Sequence, residues 1–326
     1  MCILRGKMLH MLSDFVLVSG CRAEPGGLHL GHVYGCLQEL PIGRSDLYFV
    51  IDDTCSPRVD PQSITDIAFD VLASRPKGVN VRVVRATRLQ DVLQPLVREI
   101  LWHTTWPQLR IGHPKIVSLR DNTYNDTLQD LLFPIRDSSR LIGLGCDIAC
   151  YNDDNLRLVH FTTKLQRRIR KAMGVPEYHD TPRLRLREPG RLLSYDGTKM
   201  AKGRNNALLL SASPNEVSLF AKRMVQQQLS SRNQVADPDG PSDAELCIYK
   251  AFGSISDNEA RQLRGKSRVD VLVETLESFL APIQLAHNDF VMQGQSKLNR
   301  IFKTGEDEAL TRIETVMRDL GLKGRH

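Results

Sequence analysis

Two imidazoles and two ammonium groups stand out as a set able to handle phosphate. The stretch Gly20-Cys21-Arg22-Ala23-Glu24-Pro25-Gly26-Gly27-Leu28-His29-Leu30-Gly31-His32 follows a short apolar run and opens a helical pattern. Glycines let a backbone approach a phosphate chain closely, and a helix N-terminus presents unpaired N–H groups to an anion. His29 and His32 can each donate a ring N–H to a phosphate oxygen. Gly26, Gly27 and Gly31 give close backbone approach, and Gly31 offers a bare face against which an adenine ring could lie.

Far along the chain, Lys199-Met200-Ala201-Lys202-Gly203 sits in a polar, Gly-flanked stretch. Two lysines three apart on a loop can converge on one triphosphate, a task that suits the compact lysine ammonium. An ordinary surface loop with two lysines looks the same, so the pairing with the histidine turn gives it meaning.

A scaffold must bring these groups together. Phe15-Val16-Leu17-Val18-Ser19, Leu47-Tyr48-Phe49-Val50-Ile51 (closed by Asp52-Asp53) and Val79-Asn80-Val81-Arg82-Val83-Val84 are short β-branched runs. Such runs suit the buried strands of a parallel sheet. Helical patterns over 31–40 and 60–72 separate them, the second with Asp60 as cap and Pro61 at its first position. Strand, helix, strand, helix predicts right-handed βαβ units and an α/β doubly wound parallel sheet. A basic amphipathic helix is predicted over 156–173, stopped by Gly174 and Pro176, and an irregular stretch over 182–198. From Pro214 helices dominate, at 215–229, 243–252, 268–280 and 306–320, with a polar loop over 230–241. The expected organisation is an N-terminal extension over 1–13, a catalytic α/β domain over 14–210 and a smaller all-helical domain over 211–326.

Composition narrows the class. The 326 residues are 41% hydrophobic and 25% charged, ordinary for a soluble globular chain. No apolar run approaches the roughly 18 residues of a membrane span, and the N-terminus lacks the build of a signal peptide. Seven scattered cysteines without a C-x-x-C pair read as reduced thiols, which suits a cytoplasmic location. Cys146 and Cys150 read as two buried thiols, because no second pair closes a zinc site, and no metal-ligating set is identified. A net charge of +6 is compatible with a nucleic-acid partner. The basic clusters Lys164, Arg167, Arg168, Arg170, Lys171 and Arg183, Arg185, Arg187, Arg191 read as a solvated helix face and a polar loop.

His29-Leu30-Gly31-His32 resembles the H-I-G-H signature of class I aminoacyl-tRNA synthetases. Pro25-Gly26-Gly27-Leu28 resembles the P-T-G-x-L lead-in of the tryptophan enzymes. Lys199-Met200-Ala201-Lys202-Gly203 resembles the K-M-S-K-S signature, with Ala201 and Gly203 where the family has serines. That departure keeps the charges and weakens the ordering of the loop. The continuation from Asn206 to Pro214 is similar to the tryptophan enzymes. Phe133-Pro134-Ile135-Arg136-Asp137-Ser138-Ser139-Arg140-Leu141 aligns without gaps on the family's Y-P-V-x-x-A-A-D-I stretch. There the Asp accepts a hydrogen bond from the indole N–H. Here the position is Arg140, an obligate donor. Asn152-Asp153-Asp154-Asn155 falls on the family's G-E-D-Q, near the nucleotide.

The resemblance implies a Rossmann-like (HUP) domain followed by a helical, anticodon-binding-like domain. It implies ATP with Mg²⁺, activation of an amino acid or related small carboxylic acid to its adenylate, transfer to tRNA, no membrane and a homodimer. His29 and His32 would hold the phosphates, and Lys199 and Lys202 the leaving pyrophosphate. Ala23, Glu24, Gly26, Gly27, Gly31, Asn152, Asp153, Asp154 and Met200 would surround the nucleotide. Asp137, Arg140 and Asn155 would face the acid. A site that leaves buried polar groups unpaired can reject a substrate by ~10⁴–10⁵-fold, so Arg140 should damage tryptophan selection. Either the true substrate presents an acceptor or a carboxylate to Arg140, or Arg140 pairs internally with Asp137 or Asp147. Four readings follow: a tryptophan–tRNA ligase; a diverged ligase for another substrate, such as an acidic one, with a tRNA or other acceptor; a silent nucleotide- or RNA-binding paralogue; and a nucleotidyltransferase, which the lysine loop disfavours.

Overall fold

Alternation of apolar side chains places helices on both faces of a five-stranded parallel sheet. The structure, a computed structural model, describes residues 15–38, 40, 45–55, 58–105, 108, 128–152, 155–175, 185–186, 191–230, 240–253, 255–264 and 266–322. The strands β1 (Val16–Arg22), β2 (Ser45–Asp52), β3 (Val79–Arg85), β4 (Ile148–Ala149) and β5 (Arg185–Leu186) lie in the order β3-β2-β1-β4-β5. Every pairing is parallel. Leu17, Leu47, Phe49, Ile51 and Val83 enter one core, and Val16, Val18, Tyr48, Val50 and Val84 enter the other. Burial on both faces is why β1 and β2 read as near-continuous apolar runs, while Asn80 and Arg82 interrupt β3 at the edge of the sheet.

The helices follow their caps and stripes. A single turn, α1 (Leu30–His32), passes into a π-helical turn over Val33–Leu37. In α2 (Pro61–Ala73) the Asp60 carboxylate caps the Gln62 N–H at 3.0 Å, as its sequence indicated. The structure adds α3 (Ala86–Trp102) and α4 (Leu128–Gly143), which the sequence reading missed. Both carry an internal proline, Pro95 and Pro134, a residue that normally reads as a helix breaker. The basic helix α5 (Leu156–Ala172) lies where it was expected. The helices α3, α4 and α5 cover one face of the sheet, and α2 and the later helices cover the other. The last turns of the C-terminal helix, with Ala309, Ile313 and Met317, return to the first face.

After Pro214 come α6 (Pro214–Ser230), α7 (Asp243–Phe252), α8 (Asp257–Gln262) and α9 (Lys266–Asp319). Two separate helices were expected within α9. The structure joins them into one of 54 residues that kinks at Gly294 (φ 75, ψ 175). This helix covers the β3 edge of the sheet, where exposed backbone would otherwise invite pairing. Gly305 permits the contact, because a Cβ there would lie 2.6 Å from the Val83 carbonyl oxygen. Beside it the buried Glu306 holds Arg85 at 2.6 Å. Cys146 and Cys150 are both buried, as expected. Among the described residues no helix is long and apolar enough to cross a membrane.

Candidate functional site

In the sheet order, β1 is the switch point: the chain leaves it toward β2 on one side and returns to β4 on the other. Open parallel sheets bind ligands at the carboxyl ends of the strands there. The histidine turn leaves β1 at that end and bends at Gly26 (φ 84) and Gly27 (φ 67), conformations that glycine adopts without strain. The His29 Nδ1 accepts the Gly31 N–H at 3.0 Å, and the His29 N–H donates to His32 Nδ1 at 3.3 Å. Both Nδ1 atoms are acceptors, so each neutral ring carries its proton on Nε2. The two rings lie 3.9 Å apart. Burial, His32 and the charges of Lys202 and Lys199 hold His29 well below the ordinary histidine range. Burial and the same two lysines take His32 down to about 3. The pair is therefore two neutral N–H donors at neutral pH. The face of Gly31 expected to be open is occupied, since a Cβ there would lie 2.9 Å from the His29 ring and 3.6 Å from Met200 Cβ.

The lysine loop is joined to this turn by backbone. The Leu30 N–H donates to the Leu208 carbonyl and the Leu210 N–H to the Leu28 carbonyl, both at 3.0 Å. Lys202 then reaches over the turn, donating Nζ to the carbonyls of Glu24 at 3.2 Å and Pro25 at 3.0 Å. Lys199 lies on the same loop, and its charge is felt at both imidazoles. The missing serines were expected to loosen this loop. The buried Asn206 ties it instead: its Oδ1 accepts the Ala201 N–H at 2.8 Å, and its Nδ2 donates to Asp196 at 2.9 Å and to Thr198 at 3.1 Å. Asn206→Ala is expected to cost about 1–3 kcal/mol in a denaturant melt, because it removes several hydrogen bonds made by one buried amide, and to expose the 191–210 loop to proteolysis. Unchanged stability and protection would show that the loop is held elsewhere.

A buried ionic cluster fills the side where the acid was expected. Arg140 of α4 donates to Asp137 at 2.8 Å and to Asp52, the last residue of β2, at 3.1 Å. Of the two readings left open, internal pairing is the one observed. Asp137 is a partner as anticipated, while Asp52 takes the place of Asp147, which accepts the Val16 N–H at 2.9 Å. Burial pushes Asp137 up to about 6 despite the guanidinium beside it. Burial also acts to raise Asp52, but Arg140 and the Thr54 hydrogen bond outweigh it and hold that carboxyl below its usual range. One oxygen of Asp52, Oδ2, is buried without a partner.

The other expected site residues fall nearby. Ala23 is buried and donates its N–H to the Asp52 carbonyl at 3.1 Å, while the Glu24 side chain is exposed. Asn152 lies against Gly35 of the π-helical turn, where a Cβ would sit 1.8 Å from its Oδ1. Asn155 stands at the N-cap of α5. Asp153 and Asp154 lie outside the described residues.

Solved structures share this architecture over most of both chains. The tryptophanyl-tRNA synthetase of Campylobacter jejuni complexed with ADP and tryptophan is 16% identical, covers 94% of this chain and 98% of its own, and superposes with a TM-score of 0.67. The Mycoplasma pneumoniae tryptophanyl-tRNA synthetase is 18% identical over 94% and 96%, with a TM-score of 0.67. The Archaeoglobus fulgidus tyrosyl-tRNA synthetase complexed with L-tyrosine is 18% identical over 86% and 92%, with a TM-score of 0.62. The chain has a class I aminoacyl-tRNA synthetase fold of the tryptophanyl type. No protein-family model matches it, and no curated protein matches it significantly in sequence.

Four residues of the site went unread in the sequence: Asp52, Asp70, Asn206 and His287. Asp52 carried a signal, since a carboxylate closing a parallel strand stands at the ligand end of the sheet. Asp70 and His287 carried none, because their 2.8 Å contact joins residues 217 apart through the packing of α2 against α9.

Proposed function

We propose that the chain activates a carboxylic acid other than tryptophan with ATP and transfers the acyl group to tRNA. The observation that carries this reading is the seating of the Lys202 ammonium on the Glu24 and Pro25 carbonyls of the histidine turn, with the two arms joined by backbone hydrogen bonds, which brings the lysine loop to the two imidazoles. In the first step a carboxylate oxygen attacks the α-phosphorus of ATP. The bond to the β-phosphate oxygen breaks, and pyrophosphate leaves with the electron pair. The Nε2–H groups of His29 and His32 hold phosphate oxygens, while Lys199 and Lys202 offset the charge that grows on the leaving group. Among the described residues no three His, Cys, Asp or Glu side chains group around an ion site. Mg²⁺, when bound with ATP, would add counter-charge to the triphosphate beside Lys199 and Lys202. In the second step an acceptor hydroxyl attacks the acyl carbonyl and AMP departs.

Two features support the finer parts. The sequence resemblance puts Arg140 at the position of the tryptophan enzymes' indole acceptor, and a guanidinium engaged by Asp52 and Asp137 offers no acceptor to indole. With both carboxylates already on Arg140, a substrate acid facing that side chain loses its support. For tRNA, Arg157, His160, Lys164, Arg167, Arg168 and Lys171 are exposed along α5, within a roughly 100° arc of the helix. No acidic residue falls within 156–172. Like charges four apart weaken a helix, and a phosphate backbone along the stripe would relieve that repulsion.

The test is ATP–pyrophosphate exchange across the amino acids, followed by charging of total tRNA at rising salt. Exchange with an acid other than tryptophan is expected, and charging that falls steeply with salt. Exchange with tryptophan alone would overturn the altered pocket. Exchange without any charging would overturn the tRNA acceptor.

A further inference from the structure

We propose that Gln284 and His287 of α9 are positioning residues that hold the histidine turn and the lysine loop in register around the nucleotide. This inference rests on the ligase reading. The two residues are three apart, on one face of the helix. Gln284 Nε2 donates to the carbonyls of Leu210 and Ala212, both at 2.9 Å, on the segment leaving the lysine loop. His287 Nδ1 meets Asp70 Oδ1 at 2.8 Å. The other oxygen of Asp70 accepts the Leu28 N–H at 2.7 Å, one residue before His29.

The local fit is tight. Asp70 reaches the turn because Gly27 has no side chain; a Cβ there would lie 2.3 Å from Asp70 Oδ2. Phe69 packs edge-on against the His287 ring at 5.7 Å and stacks on Phe290 at 6.0 Å, which fixes the imidazole. Leu28 and Leu210, the two gripped points, are also hydrogen-bonded to each other. One face of α9 therefore grips both arms at the place where they join. The charged groups that bear on His287 are Asp70 and Asp66 of α2, and the same two carboxylates act on the Lys202 ammonium. The hydrogen bond to Asp70 raises the His287 range, so the charged pair is complete at low pH and is lost as pH rises through that range.

The test measures Mg·ATP affinity of the full chain by calorimetry across about pH 5.5–8.5, the histidine range. The variants are His287→Ala, His287→Asn and Gln284→Ala, each with a thermal melt. Loss of a charge-assisted hydrogen bond is expected to weaken Mg·ATP about tenfold in His287→Ala. His287→Asn keeps an N–H donor near Nδ1, so it should recover most of that loss while losing the wild-type decline at higher pH. Gln284→Ala should weaken binding without a pH signature. Variants that bind as the wild type does would overturn the inference. So would equal losses in the Ala and Asn variants with lowered melting temperatures, since that is what a merely structural role gives. A wild-type chain that binds no Mg·ATP would sink the ligase reading, and this inference with it.

Discussion

Replacing Lys202 with alanine is expected to slow ATP–pyrophosphate exchange by about 10²–10³-fold, the usual consequence of deleting one preorganised group that meets transition-state charge. The acid KM should change little, because the ammonium sits over the phosphate turn, on the carbonyls of Glu24 and Pro25. Stability should also change little. The side chain is half-buried, and the carbonyls it leaves can take water. A second readout needs no acid at all. Lys202 is one of the charges that keep His29 and His32 neutral, so its removal should move both imidazole titrations upward, toward the ordinary histidine value. Imidazole shifts in NMR across the acid range would record this. Full exchange activity together with unmoved imidazoles would mean that the lysine lies outside the phosphate chemistry.

What could be read in the sequence follows from what is local. The strands β1, β2 and β3 announced themselves because their apolar residues enter both cores. The strands β4 and β5, two residues each, are too short to carry a pattern, and β5 falls in the stretch expected to be irregular. Helix α2 was legible because Asp60 and Pro61 mark its start. The histidine turn was legible for the same reason: its cap, glycines and imidazoles all fall within a dozen residues. The lysine loop needed the motif resemblance, because its partner lies far away in the chain. Two helices, α3 and α4, were hidden by Pro95 and Pro134, which tertiary packing overrides. The long polar middle of α9 carries no clean apolar stripe, so its two ends read as separate helices. The occupancy of Arg140 was half visible. Asp137 is one helical turn away, whereas Asp52 comes from another strand and only the sheet brings it near.

That cross-chain contact sets the second large effect. Arg140→Met keeps much of the side-chain volume and removes the charge shared by Asp52 and Asp137. Breaking a buried pair from one side typically costs about 3–5 kcal/mol, because the remaining charges lose their compensation. A loss of that size is expected in denaturant melts near neutral pH. The pH dependence then separates charge from packing. Asp52 is depressed in the wild type, so its contribution is present above the unfolded carboxylate value and lost on acidification. Asp137 already stands at about 6, above its unfolded value, so its proton is bound more tightly in the folded chain and favours folding as pH falls. Without the guanidinium both carboxyls should rise, and the variant should regain stability toward about pH 5 as they take up protons. A packing defect would show no such recovery. If Arg140→Met melts like the wild type at neutral pH, the cluster contributes nothing to the fold, and the guanidinium is free to answer to a substrate.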